Sequence, residues 1–142
     1  MVKTNTTVTE ETKKIVGALI ETAKNLAIKR ILSHDCRVGD VGCALRTDRN
    51  DTFVGVSIHC ACGIGCCAEH SAVANMITNG QTRVDTIVAV NSEGQIMPPC
   101  GRCRELLIQI DDNNRKTVIV LGPTQIISLD TLLPYRWQEV RN

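Results

Sequence analysis

Aromatic residues are almost missing from this chain. Its 142 residues hold one Phe, one Tyr and one Trp, 2% in all. A core built on rings is excluded, so Val, Ile and Leu must fill the interior. Neither sign of charge is in excess: Lys plus Arg number 16 against 15 Asp plus Glu, a net of +1. Such a balance argues against a protein that lives on the nucleic-acid backbone or on an anionic membrane. Long apolar runs are absent too. With glycine counted as a break, the longest are four residues, as at 87–90 and 118–121. A transmembrane helix needs about 20. Residues 1–10 are mostly polar and lack an apolar core, so no secretory signal is expected and a cytoplasmic location is.

What is present in quantity is cysteine. Eight thiols stand at positions 36, 43, 60, 62, 66, 67, 100 and 103. In a reducing compartment, clustered cysteines are more often metal ligands or catalytic groups than disulfides. The remaining composition, 43% hydrophobic and 22% charged, is that of one globular domain spanning residues 1–142, with 1–8 as a loose tail.

The apolar spacing of Ile15, Val16, Leu19, Ile20, Ala23, Leu26 and Ala27 predicts an amphipathic helix over 9–29. Thr7 and Glu10 have capping-box spacing ahead of it. Residues 41–47 and 52–58 read as a hairpin around the polar turn Asp48-Arg49-Asn50-Asp51. A helix over 68–79 ends at Gly80, and a second is expected over 101–110. The β-branched runs 86–90 and 117–121 read as buried strands, 124–128 as a last strand and 129–133 as a helical turn before Pro134. The strand–helix–strand step demands a parallel pair, whereas the opening hairpin is antiparallel. The expected architecture is α/β: a three-layer α/β/α sandwich with a mixed sheet of about five strands.

Two cysteine groups carry the chemistry. Cys67-Ala68-Glu69 opens one expected helix, and Pro99-Cys100-Gly101-Arg102-Cys103 opens the next. A helix start offers unpaired N–H groups and the positive dipole end, which favour a thiolate. Cys100 and Cys103, three apart, can converge within one turn. Cys67 would add a third ligand, and three protein ligands with one open position mark a catalytic rather than a structural zinc. Glu69 lies close to that ion but is poorly placed to bind it, and a carboxylate there can take and pass on a water proton.

These motifs match the signature of the zinc nucleobase deaminases, Cys-x-Glu followed by Pro-Cys-x-x-Cys. The chain from Thr9 to Trp137 resembles the small zinc cytidine deaminases, and among them the blasticidin-S deaminase branch. Val41-Gly42-Cys43-Ala44-Leu45, Gly55-Val56-Ser57-Ile58 and Leu132-Leu133-Pro134-Tyr135-Arg136-Trp137 share in the likeness. The resemblance implies the same three-layer fold, Zn2+ held by Cys67, Cys100 and Cys103, and a homotetramer whose sites borrow residues from neighbours. It implies hydrolysis at C4 of a cytosine ring to the uracil form with release of ammonia. Glu69 would deliver protons to N3 and to the leaving amine, and the backbone at Ala68 would hold the base edge.

Three thiolates leave the zinc centre with a net charge of −1, which weakens its hold on the water proton. A guanidinium near the sulfurs would offset this, and Arg102 and Arg104 are candidates. Cytidine deaminases often carry Arg directly after Cys-Ala-Glu. Here His70 stands there, either beside the sulfurs or on the helix surface. Asn-x-Glu, which binds ribose hydroxyls in the family, is replaced by Ser57-Ile58-His59. Plain cytidine is therefore expected to be a poor substrate. Ser57 and His59 contact an altered sugar or are ordinary strand-end residues. Cys60, Cys62 and Cys66 hold a second metal, form a redox-sensitive gate or simply pack a Gly-rich loop. Cys36 and Cys43 read as packing residues. If a ring stacks on the substrate it is that of Trp137, with core or interface packing as the alternative. The rival functions are a polynucleotide base editor, disfavoured by neutral charge and few aromatics, and an inactive structural zinc or interaction protein.

Overall fold

Thr9 starts the first element of the computed structural model, which describes residues 8–141. Its hydroxyl accepts the Thr12 N–H, and Glu10 and Glu11 occupy the first turn of α1, Glu10–Leu26. Acidic groups there complement the positive end of the helix dipole. The Thr7 cap and all but Val8 of the tail expected over 1–8 lie outside the described residues. Within the described helix the cap is Thr9.

The strands are β1 (Arg30–Ser33), β2 (Cys36–Thr47), β3 (Thr52–Cys60), β4 (Val84–Asn91), β5 (Ile96–Met97), β6 (Val118–Gly122) and β7 (Gln125–Ser128). Between them run α2 (Ala68–Thr78), α3 (Gly101–Ile110) and the single turn α4 (Leu129–Leu132). They form one mixed sheet of seven strands. β2 pairs antiparallel with β3 and β4, β4 pairs parallel with β6 across α3, and β6 pairs antiparallel with β7. The five expected strands make up this body. The two extra strands are short additions, β1 on the start of β2 and β5 on the end of β4. β1 shows no alternation because all four of its residues are exposed, and β5 is only two residues long.

Side chains alternate across a strand, and the central strands are apolar on both faces. Cys43, Leu45, Ile87 and Ile119 pack with Ala72, Val73 and Met76 of α2 and Leu107 and Ile108 of α3. Ala44, Val88, Val90 and Val120 pack on the other side with Val16, Leu19 and Ala23 of α1. Helices therefore cover both faces, giving the three-layer α/β/α arrangement.

β2 begins five residues earlier than the sequence pattern suggests. Val38 pairs with Ile58, but Gly42 pairs with Val56, so the ladder bulges between them. Gly39 has φ +83°, and a Cβ there would lie 2.0 Å from the Ile28 carbonyl oxygen. The bulge breaks the period-two signal and hides the first half of the strand.

Gly55 sets how closely α2 lies on β3. A Cβ at Gly55 would fall 2.3 Å from the Ala72 backbone nitrogen. Gly55→Ala is therefore expected to cost on the order of 3 kcal/mol by overpacking. Chemical denaturation checks this: a midpoint unchanged from wild type would mean that α2 moves away freely.

Candidate functional site

The site is built where α2 and α3 begin. Their N-cap residues are Cys67 and Cys100, both in extended conformation and neither making a side-chain cap bond. Both sulfurs are thus free to turn toward each other. Cys67 Sγ lies 3.7 Å from Cys100 Sγ, and Cys100 Sγ lies 3.5 Å from Cys103 Sγ, one turn into α3. The three sulfurs lie within 4.8 Å of one another. Among the described residues this is the one group of three or more His, Cys, Asp or Glu donors that could hold an ion, and it holds no fourth donor.

The thiols differ in their surroundings. Burial pushes Cys67 and, far more strongly, Cys103 up from the usual thiol value. At Cys100 burial acts the same way, but the N–H groups of Cys103 and Arg102 and the two neighbouring thiols outweigh it and bring that thiol down. Three like charges this close cannot all exist without a compensating cation. Three soft donors converging with no fourth protein ligand fit a zinc ion with an open corner.

Glu69 is buried, 7% exposed, with Oε2 3.6 Å from Cys103 Sγ. Burial raises its pKa above the ordinary carboxylate value, which suits a group that must accept and release a proton. His70 follows on the same helix, with Nδ1 3.6 Å from Cys103 Sγ. Burial and the nearby Arg102 charge lower its pKa, so the neutral ring is favoured.

Cys67, Glu69 and Cys100 open into a cavity of about 400 Å³, a size typical of small-molecule sites. Ser57, His59, Ala68, Glu69, Cys100 and Arg102 are on its wall. The Ser57 hydroxyl accepts the Val41 N–H at 3.0 Å, bracing the bulged part of β2. His59 Nε2 is 3.5 Å from Asp40, whose carboxylate is gripped by Arg37 at 2.8 and 3.0 Å. No Phe, Tyr or Trp is on this wall among the described residues.

Two expected site residues stand elsewhere. Arg104 is turned away from the sulfurs and donates to the carbonyls of Pro99 and Leu132, tying α3 to the chain near α4. Trp137 is half exposed, its indole N–H bonded to Glu105 and its ring 4.1 Å from the Arg141 guanidinium. It has no place on the cavity wall of a single chain. Cys43 is fully buried, as packing predicts. Cys36 is half-buried, with its Sγ 3.4 Å from Cys60 Sγ. Cys62 is exposed, and Cys66 Sγ sits 3.5 Å from the Ser71 hydroxyl. Cys60, Cys62 and Cys66 do not form a second metal cluster among the described residues.

Sequence reasoning missed Val41, Met97 and Pro98 as cavity walls, and Asp40 behind His59. The Pro98-Pro99 pair ahead of Cys100 is the one local signal of a rigid wall there.

Comparison with known proteins agrees with this geometry. The chain is 33% identical over 88 residues to a cytidine deaminase of Mycoplasma genitalium, covering 59% of this chain and 68% of that one. It is 29% identical over 106 residues to a blasticidin-S deaminase of Bacillus cereus, covering 68% and 76%. The solved cytidine deaminase of Mycobacterium tuberculosis superposes with a TM-score of 0.70 at 25% identity, over 85% of this chain and 95% of that one. Residues 10–121 match the model of the cytidine and deoxycytidylate deaminase zinc-binding region. With three converging thiols and a buried carboxylate beside them, this chain belongs to the cytidine and deoxycytidylate deaminase family of zinc-binding hydrolytic enzymes.

Proposed function

We propose that this protein deaminates the cytosine ring of a free nucleoside, or of a nucleoside antibiotic of the blasticidin-S type, with release of ammonia. The observation that carries this reading is the Glu69 carboxylate, 3.6 Å from Cys103 Sγ and on the wall of the cavity that Cys67 and Cys100 also line. Cys67, Cys100 and Cys103 would hold the ion as thiolates. The bound zinc supplies the positive charge that lets a water lose its proton near neutral pH. Glu69 takes that proton at its carboxylate and delivers protons to ring N3 and to the departing amine. The Ala68 backbone holds the base edge. The N–H groups of Arg102 and Cys103 and the His70 ring at Cys103 temper the negative charge of the sulfurs.

The substrate end of the cavity differs from a hydroxyl-binding site. The Ser57 hydroxyl already accepts the Val41 N–H, and His59 stands beside Asp40. Cytidine should therefore be turned over at least about tenfold less efficiently than the best substrate. Free nucleosides and antibiotics fit better than polynucleotides, because the cavity wall offers no stacking platform. Assays of ammonia release by the zinc-loaded protein on cytidine, deoxycytidine, 5-substituted cytosines, blasticidin S and a deoxycytidine oligonucleotide test this. Faster turnover of the oligonucleotide would point to a base editor, and no turnover of any of them to an inactive zinc protein.

We also propose a homotetramer working in the cytoplasm. Ile31, Leu32, Ile64 and Val140 are largely exposed on one isolated chain, and burying them between copies is favourable. Light scattering should give four times the chain mass; a monomer at micromolar concentration would contradict it.

A further inference from the structure

We infer that Cys36 and Cys60 are a redox modification site that closes to a reversible disulfide. The two residues are directly opposed in the β2–β3 ladder, and their sulfurs lie 3.4 Å apart. Opposed residues on antiparallel strands have Cα atoms about 4.5–5.5 Å apart, within the span a disulfide bridges. The sulfurs need only close to about 2.05 Å. Both thiols are free and half-buried. Both line a surface cleft of about 340 Å³ formed with Ile31, Ser33, Asp35 and Arg37, through which an oxidant can reach them.

Position gives the pair its consequence. Cys60 lies on the wall of this cleft and also on the wall of the cavity that holds Glu69. It ends β3 and begins the turn Ala61–Gly63, where Cys62 and Gly63 both have positive φ. The chain then returns through the Ile58–Cys66 bridge to Cys67. A bond from Cys36 to Cys60 would tie the start of β2 to this wall.

The co-reactant is a small-molecule disulfide such as oxidised glutathione. One cysteine, as thiolate, attacks a glutathione sulfur and expels the other as a thiolate. The second cysteine then attacks the protein-bound sulfur of the mixed disulfide and expels the remaining glutathione. Two protein thiols are oxidised, one disulfide is reduced to two thiols, and the two thiol protons pass to the leaving thiolates.

The test incubates zinc-loaded protein with a series of reduced to oxidised glutathione ratios, quenches with an alkylating agent and maps peptides without reduction. The expected result is a Cys36–Cys60 cross-link that dithiothreitol reverses, formed at ratios where zinc stays bound. In C36S the cross-link is lost and Cys60 carries a glutathione adduct instead. The inference is overturned if both cysteines remain alkylatable across the series, or if zinc release precedes any cross-link. Linkage is read by mass and not by turnover, so this result is independent of the substrate reading above.

Discussion

Glu69→Gln protein should keep one zinc per chain and lose about two to four orders of magnitude in kcat, the range that a positioned general acid–base group supplies. The substitution conserves shape but removes the carboxylate proposed to cycle a proton between water and base. The carboxylate is buried, and its burial opposes ionisation. A neutral amide relieves that cost, so thermal stability should hold or rise. The pH profile adds a second check. Glu69 must be ionised to accept the water proton, so activity falls as pH drops through its pKa, which burial holds above the ordinary carboxylate value. That acidic limb should vanish from the residual activity of the Gln variant. Activity within tenfold of wild type, with zinc metal analysis unchanged, would remove Glu69 from the mechanism.

Cys103→Ser should abolish both metal binding and turnover. Cys103 is buried between the two other sulfurs, Glu69 and His70. A serine oxygen is a poor ligand for zinc, and two thiolates alone do not make a closed hold. Even changes outside the ligand set cost 10- to 100-fold in affinity, so losing a ligand should cost at least about a hundredfold. After dialysis against a mild chelator the variant should retain little zinc. Wild type should show a melting temperature that falls when zinc is stripped, because the three thiols converge only in the folded chain and bind the ion more tightly there. Cys62→Ser is the control: that thiol is exposed and outside the cluster, so zinc content and activity should stay at wild type. Full zinc occupancy in Cys103→Ser would require a different ligand set.

Much of this protein is local and could be read residue by residue. Helix 101–110 has the same bounds in sequence and in structure because Pro98-Pro99 ahead of it and the polar run Asp111-Asp112-Asn113-Asn114 after it delimit it locally. The alternation that sends Cys43 and Leu45 to one face and Ala44 to the other is likewise carried by neighbours two apart. The motif 67–69 and the pair 100 and 103 announce metal and proton chemistry because thiol, carboxylate and helix start are named in order along the chain.

What needed the folded chain is every relation between residues far apart. Cys67 and Cys100 are 33 positions apart, and their meeting depends on how α2 and α3 dock on one sheet. Cys36 faces Cys60 only because the bulge at Gly39 offsets the ladder, and no period-two pattern contains that offset. Arg104, next to Cys103 in the chain, is spent on two carbonyls, and Trp137 on Glu105. Side-chain identity decides what chemistry is possible. Strand register and helix docking, which arise from packing over the whole molecule, decide which of those side chains meet.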